Sequence, residues 1–147
     1  MTAEFGHHYI AGQWLSDAPN GISEVENPSD GSIIGTAPNG SAELAGRAVT
    51  AAREAFETTD WQSNPRQRAA ALLEFADILE SRADEIAALM ARENGKVLAQ
   101  ARHEVAAGYG EARYYAGVAR NVFGRTFESG AGKLSLMTRE PSGVVSV

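Results

Sequence analysis

The stretch TREPSGVVSV, residues 138–147, joins a turn to an apolar run. Pro141 presets φ and Gly143 accepts a positive φ, so residues 140–143 are typical of a turn. Val144, Val145 and Val147 are β-branched, and a short run of such residues after a turn signal favours a buried strand. The sequence therefore predicts that a core strand begins at Val144.

Two hairpins are predicted near the N-terminus. In HHYIAGQWL, apolar residues flank a tight turn at residues 11–13, which is typical of two short paired strands. The same pattern returns around residues 27–31, where Pro and Gly supply turn chemistry. A further strand is expected to open at Ile33 and to end at residues 38–40.

The middle of the chain predicts four helices. Ser41 is a good N-cap for the first, and Asn64 followed by Pro65 begins the second. A break is expected near residues 81–82, and Gly95 should end the third helix in a left-handed conformation. The fourth is expected over residues 97–122. The apolar stripes expected to be buried are Leu44, Ala48, Ala52 and Phe56, then Ala69, Leu72, Leu73, Ala76 and Leu79, then Ile86, Leu89 and Met90, then Leu98, Ala101, Val105 and Ala112.

The positions of glycines and the alternation of apolar and polar residues predict the structure of the C-terminal part. Gly108 and Gly110 are unfavourable inside a helix and indicate close approach of another backbone. Gly124 suits the position just after the fourth helix. The stretch ESGAGK favours a flexible turn, and LSLMTRE alternates like a strand.

Composition and charge exclude several classes of function. The chain has 147 residues, a net charge of −6 and a pI near 5.0, so a general affinity for nucleic acid or anionic membranes is not expected. It has no cysteine, which excludes disulfides, Cys-ligated zinc and a thiol nucleophile within this chain. The N-terminus lacks the pattern of a signal peptide, and no apolar run has the length of a membrane span. A cytoplasmic location is the expectation.

Four motifs that could carry chemistry fail on their spacing. ESGAGKL lacks the first glycine of a phosphate-binding loop, because Phe127 stands there, and Leu134 replaces the hydroxyl residue. GYGEAR has Arg113 in place of the third glycine of a dinucleotide fingerprint. His103-Glu104 has no second histidine one turn on, and His7-His8 point to opposite faces of a strand. Spacing alone therefore predicts an incomplete α+β segment without a catalytic constellation.

Six stretches in order resemble a known family. YIAGQW, ENPSDGSIIGTAP, AVTAAREAF, ENGKVLAQARHEV, ARYYAGVA and REPSGVVSV are similar to the N-terminal part of the NAD(P)-dependent aldehyde dehydrogenase superfamily. The resemblance implies an α/β fold, the front part of an aldehyde dehydrogenase-like fold: N-terminal β-hairpins, about four helices, an interface strand and the first Rossmann-type strand. It divides the chain into residues 1–132 of the cofactor-binding domain, an oligomerisation strand at 133–140, and the start of the first nucleotide-binding strand at 141–147.

The resemblance also implies an activity that this chain would not carry alone. In the family a cysteine thiolate attacks an aldehyde, and hydride passes from the resulting thiohemiacetal to NAD or NADP. A Glu-activated water then hydrolyses the thioester to a carboxylic acid. The residues with these roles lie beyond the stretches matched here. We therefore expect no catalytic and no cofactor-binding residue in this chain, and no activity from it in isolation.

Two secondary sites follow from the resemblance. Val25 and Glu26, through backbone oxygens, and Glu93, through its carboxylate, correspond to ligands of a monovalent cation; an ordinary solvated Glu93 is the alternative. His103 and Ala107 correspond to the mouth of the aldehyde entrance, where a small residue at 107 leaves room for a bulky or aromatic aldehyde.

The strand at 133–140 resembles one that extends a sheet between subunits, which implies a homodimer or homotetramer. The alternative to an enzyme segment is a non-catalytic helical binding or scaffold module. A stable, cooperatively folding monomer of these 147 residues would favour that module.

Overall fold

The computed structural model describes residues 4–146, and five short strands form its N-terminal part. Three of them form a sheet in the order β1-β5-β4, with β1 parallel and β4 antiparallel to β5. The other two form a separate antiparallel hairpin. The strands are β1 (Glu4–Phe5), β2 (His8–Ile10), β3 (Gln13–Leu15), β4 (Ile22–Glu26) and β5 (Ile33–Pro38).

Turn chemistry explains both predicted hairpins, which the structure confirms. Between β2 and β3, Ala11 and Gly12 have φ values of 52° and 77°. Two successive positive φ values are typical of the turn whose twist matches that of paired strands. Between β4 and β5, Asn27 accepts at its carbonyl from the Gly31 amide at 2.8 Å. Gly31 has a φ of 72°, which suits glycine there.

Four helices follow: α1 (Ala42–Thr58), α2 (Pro65–Ser81), α3 (Ala83–Asn94) and α4 (Leu98–Ala119). The side chains of Ser41 and Asn64 accept from backbone amides at the starts of α1 and α2, at 3.2 and 3.1 Å. The predicted break lies at Arg82, and Gly95 ends α3 with a φ of 66°. Both predicted caps, the break and the left-handed helix end are confirmed.

The core lies where α2 and α3 pack against α4, and alanine dominates it. A Cβ on Gly108 would lie 3.4 Å from the side chain of Leu79, so a side chain approaches there instead of the predicted backbone. The same prediction is wrong for Gly110, where such a Cβ would meet nothing within 4 Å. The buried apolar residues of the helices are Leu44, Ala69, Ala76, Ala87, Ala101, Val105, Ala112 and Ala116.

Several expected buried stripes are only partly covered. In α1 only Leu44 is buried, and its neighbours along the predicted stripe are half-buried or exposed. Leu73 and Leu89 are 47% and 46% exposed. Within the described chain, the neighbouring elements cover only part of each helix. Several larger apolar side chains of the stripes therefore stay at the surface.

A third hairpin follows α4, with β6 (Arg125–Gly130) antiparallel to β7 (Lys133–Met137). The predicted strand at 133–140 is confirmed over 133–137, but its partner β6 differs from the flexible turn expected at residues 128–133. The helix ends at Ala119, earlier than expected, so Gly124 is not its C-terminal cap. Instead, Gly124 lies directly against the carbonyl of Met137, where a side chain would not fit.

Residues 138–146 carry no regular secondary structure. The strand expected to begin at Val144 is therefore not formed over residues 144–146, because no neighbouring strand in the described chain offers the hydrogen bonds of a ladder. Val147 lies outside the described residues. Among the helices in the part of the chain that is described, none is long and apolar enough to cross a membrane.

Candidate functional site

The end of α3 lies against the turn between β4 and β5. A Cβ built on Gly95 would lie 2.8 Å from Cγ of Pro28. Glycine suits position 95 for two reasons. It has no side chain to collide with Pro28, and its left-handed φ of 66° is costly for other residues. The contact brings the residues before Pro28 close to the last turn of α3.

The three residues predicted to hold a cation lie within three positions of this contact along the chain. The ladder of β4 and β5 is irregular between Val25 and Glu26, and such a bulge leaves backbone groups outside the regular pairing. Glu93 lies in the last turn of α3, where unpaired backbone carbonyls and the helix dipole favour positive charge. Backbone and carboxylate oxygens are donors that hard cations prefer. These donor types are the ones a hard cation takes, and the cation role of the three residues stays a prediction; no group of three acidic or histidine side chains in the described residues could hold a metal.

Asp30 is a further acidic residue at this junction that the motif search did not single out. Its carboxylate accepts from the Ser32 hydroxyl at 2.7 Å and from the Ser32 amide at 2.9 Å. These hydrogen bonds, with a smaller contribution from Arg92, hold the pKa of Asp30 below its ordinary value. The sequence signal was the Asp-Gly-Ser turn, in which an Asp commonly accepts from the backbone two residues on.

The residues predicted for the substrate entrance lie one turn apart on α4. His103 and Ala107 are both exposed, and the His103 ring has no hydrogen-bond partner in the described residues. Tyr114, two turns further along, is 65% exposed. The structure thus places both residues on one solvent-facing side of α4, next to an aromatic side chain, with open space at Gly110.

Ion pairs fix the position of α4 relative to its neighbours. Arg113 of α4 donates to Asp77 and Glu80 of α2 at 2.8 and 2.5 Å, and these pairs raise the pKa of Arg113. Near the start of α4, Arg102 pairs with Asp84 at 2.9 Å and Glu104 with Lys96 at 2.7 Å. No pattern within one helix indicates these pairs, because the partners are distant in sequence.

Comparison with known proteins identifies the fold that this junction and this helix face belong to. A sequence profile described as Aldehyde dehydrogenase family matches residues 14–147. The chain belongs to the aldehyde dehydrogenase family.

Two curated relatives and one solved structure illustrate the family relationship. Alpha-ketoglutaric semialdehyde dehydrogenase of Bacillus subtilis (strain 168) is 42% identical over 95% of this chain and 29% of its own length. Malonate-semialdehyde dehydrogenase of Bacillus pumilus (strain SAFR-032) is 35% identical over 94% of this chain and 28% of its own. A crystal structure of an NAD-dependent aldehyde dehydrogenase from Sinorhizobium meliloti superposes with a TM-score of 0.88 at 31% identity, over 95% of this chain and 28% of that one.

The chain therefore spans less than a third of the length of these aldehyde dehydrogenases. The superposition agrees with the α/β organisation predicted from the sequence, in which hairpins precede four helices and a further strand. The predicted cation residues lie near the contact of Gly95 with Pro28 in the chain, and the predicted entrance residues lie on the exposed side of α4. The roles of both sets stay predictions.

Proposed function

We propose that the protein to which these residues belong oxidises an aldehyde to a carboxylic acid with NAD or NADP as hydride acceptor. The match of residues 14–147 to the aldehyde dehydrogenase family carries this proposal. The chain has no cysteine, so the thiolate that forms the thiohemiacetal and the thioester comes from another part of the protein. The 147 residues alone are expected to have no dehydrogenase activity.

The role of this segment in catalysis is to support and to shape the site. The paired helices α2, α3 and α4 form a scaffold beside the nucleotide-binding sheet, and α4 presents His103 and Ala107 towards the incoming aldehyde. A small side chain at 107 leaves space that a larger one would fill. The cation at Val25, Glu26 and Glu93 would hold the junction of α3 with the β4–β5 turn, and supplies no redox chemistry.

The aldehyde is proposed to carry a carboxylate. Two relatives that align with nearly the whole chain are named for semialdehydes, which are aldehydes with a carboxyl group at the other end. His103 supports this assignment, because an imidazole N–H on the exposed face of α4 can donate a hydrogen bond to a carboxylate. A bulky or aromatic aldehyde is the alternative that the small Ala107 favours.

Association and location complete the proposal. The exposed edge of β7 pairs with a second subunit to form a homodimer or homotetramer, in the way that strands extend sheets between chains. A cytoplasmic location is proposed because the aldehyde and the nicotinamide cofactor are available there.

The test is a substrate panel with the purified full-length protein. NADH or NADPH formation is followed at 340 nm with 2-oxoglutarate semialdehyde, malonate semialdehyde, benzaldehyde and propanal. The proposal expects turnover of at least one aldehyde, with the highest kcat/KM for a semialdehyde. If kcat/KM is highest for benzaldehyde, the proposed activity holds, but the substrate class is aromatic aldehydes instead of semialdehydes. No turnover of any aldehyde with either cofactor would contradict the function, as would activity of the 147-residue chain alone.

A further inference from the structure

A cavity of about 510 Å³ lies between the start of α2, the end of α4 and residues 139–143. It is apart from both the cation junction and the entrance face of α4. The residues that matter here are Arg68, Arg120, Arg139, Glu140, Trp61 and Phe123, all in its lining. Three arginines from three separate parts of the chain thus line one cavity, together with two aromatic residues.

Basic residues predominate in the lining of this cavity, although acidic residues outnumber basic ones by 19 to 13 in the whole chain. Among the described residues, neither Arg120 nor Arg139 has a carboxylate within 4 Å, and Glu140 has no basic partner within that distance. The positive charges of these two arginines are therefore not neutralised by a carboxylate of the described chain.

Arg68 has a different role in the same wall. Its Nη1 donates to the carbonyl oxygens of Trp61 and Gln62, the second at 3.1 Å. These bonds fix the loop between α1 and α2 and hold the Trp61 ring beside the cavity. The first residue of α2, Pro65, also lies in the lining, so the positive end of that helix dipole adds to the potential.

We propose that this cavity binds a small organic dicarboxylate. A guanidinium group matches a carboxylate with two parallel hydrogen bonds, and Arg120 and Arg139 can each take one carboxylate in this way. The Trp61 and Phe123 rings give the methylene chain between the two carboxylates an apolar surface. Glu140 repels a ligand with further negative charge, which limits the site to small dianions.

The binding itself does not depend on the proposed activity. If the full-length protein oxidises semialdehydes, however, its product is a dicarboxylate, and the cavity would then bind product away from the reacting atoms; that connection rests on the proposed function. Binding is therefore measured without aldehyde and without cofactor, so that it can succeed or fail independently of catalysis.

The experiment is isothermal titration of the full-length protein with glutarate, with butyrate as the matched monocarboxylate, at constant ionic strength. We expect glutarate to bind at least tenfold more tightly than butyrate. Arg120→Gln and Arg139→Gln are each expected to weaken glutarate binding at least tenfold, and Glu140→Gln to strengthen it. Arg125→Gln, on β6 outside the cavity, is the control and should leave binding unchanged.

Folding of the variants is checked by circular dichroism. Arg139→Lys is a second variant that keeps the charge and loses the planar fork, so an intermediate affinity is expected from it. Equal binding of glutarate and butyrate would overturn the proposal. So would glutarate binding that is indifferent to both arginine substitutions, as expected of a ligand at the catalytic centre. The absence of saturable binding, as when another part of the protein fills the cavity, would also overturn it.

Discussion

Gly95 at the end of α3 and Pro28 in the turn between β4 and β5 are in direct contact. A Cβ at residue 95 would lie only 2.8 Å from Cγ of the proline ring, so a side chain would not fit there. This contact joins the turn between β4 and β5 to the end of α3, and the predicted cation residues lie on both sides of it in the chain.

Gly95→Ala is expected to lower the stability of the protein by at least about 1–2 kcal/mol, the cost of a left-handed alanine, with the contact to Pro28 adding to it. The measurement is the free energy of unfolding in urea or the change in Tm. Gly46→Ala in α1 is the control, since a Cβ there meets nothing within 4 Å. In a helix interior that change should stabilise by up to about 1 kcal/mol. Equal effects of the two substitutions would contradict the importance of the contact.

Glu93→Gln is expected to remove a potassium-dependent gain in stability. A cation that binds only the folded state raises Tm by mass action. The Tm of the full-length protein is measured in KCl and in choline chloride at equal ionic strength. Glu74→Gln, an exposed acid in α2 without an ion pair in the described chain, is the control. If wild-type Tm is the same in both salts, the cation site is absent.

Ala107→Phe is expected to reduce kcat/KM at least tenfold for benzaldehyde relative to propanal, because the larger side chain occupies the mouth of the entrance. Ala88→Phe, on the exposed side of α3, is the matched control and should leave the ratio unchanged. An unchanged ratio for Ala107→Phe would remove residue 107 from the entrance.

Arg113→Gln is expected to lower Tm, because two carboxylates of α2 lose their partner on α4. The pair is exposed to solvent, so the difference in Tm should shrink in 1 M NaCl, where charges are screened within about 3 Å. A double-mutant cycle with Asp77→Asn isolates the pair. A deficit that persists at high salt would indicate that lost packing on Tyr109, whose ring lies 5.4 Å from the guanidinium carbon, causes it.

Ser32→Ala is expected to raise the pKa of Asp30 towards its ordinary value, because the hydroxyl hydrogen bond is the largest cause of the lowering. A lowered carboxylate pKa stabilises the folded state above the pKa of the unfolded chain, and this stabilisation disappears as pH falls through the folded pKa. The substitution should therefore destabilise at pH 7 and lose its effect in strong acid. NMR titration of Asp30 measures the pKa. Ser29→Ala in the same turn keeps both Ser32 bonds and should shift nothing.

The features predicted correctly from the sequence are those fixed by local chemistry. Ser41, Asn64 and Gly95 end or begin helices through bonds that span a few residues, and the Ala11-Gly12 turn needs only its own φ values. Strand β6 was missed because Glu128-Ser129-Gly130 has turn chemistry, and only its pairing with β7 makes it a strand.

Features that depend on distant partners could not be predicted in this way. The Arg113 pairs join residues 36 and 33 positions apart, and no pattern within one helix identifies which charge meets which. The expected strand at residue 144 needs neighbours that the described chain does not offer, and the buried stripe of α1 needs a surface to cover it. The cation and entrance residues were named from family resemblance, because neither backbone oxygens nor a small alanine leaves a motif.

The residues of the helical block that are completely covered are alanines: Ala76, Ala87 and Ala101. Helix axes that meet through alanine lie near the lower end of the roughly 8–10 Å range of separations. A larger residue at any of these positions would push α2 or α3 away from α4. Because a helix is rigid along its length, such a substitution would also shift the contact at Gly95 relative to the face of α4 that carries Ala107. The small residues therefore set the spacing of the helices that carry the two predicted sites.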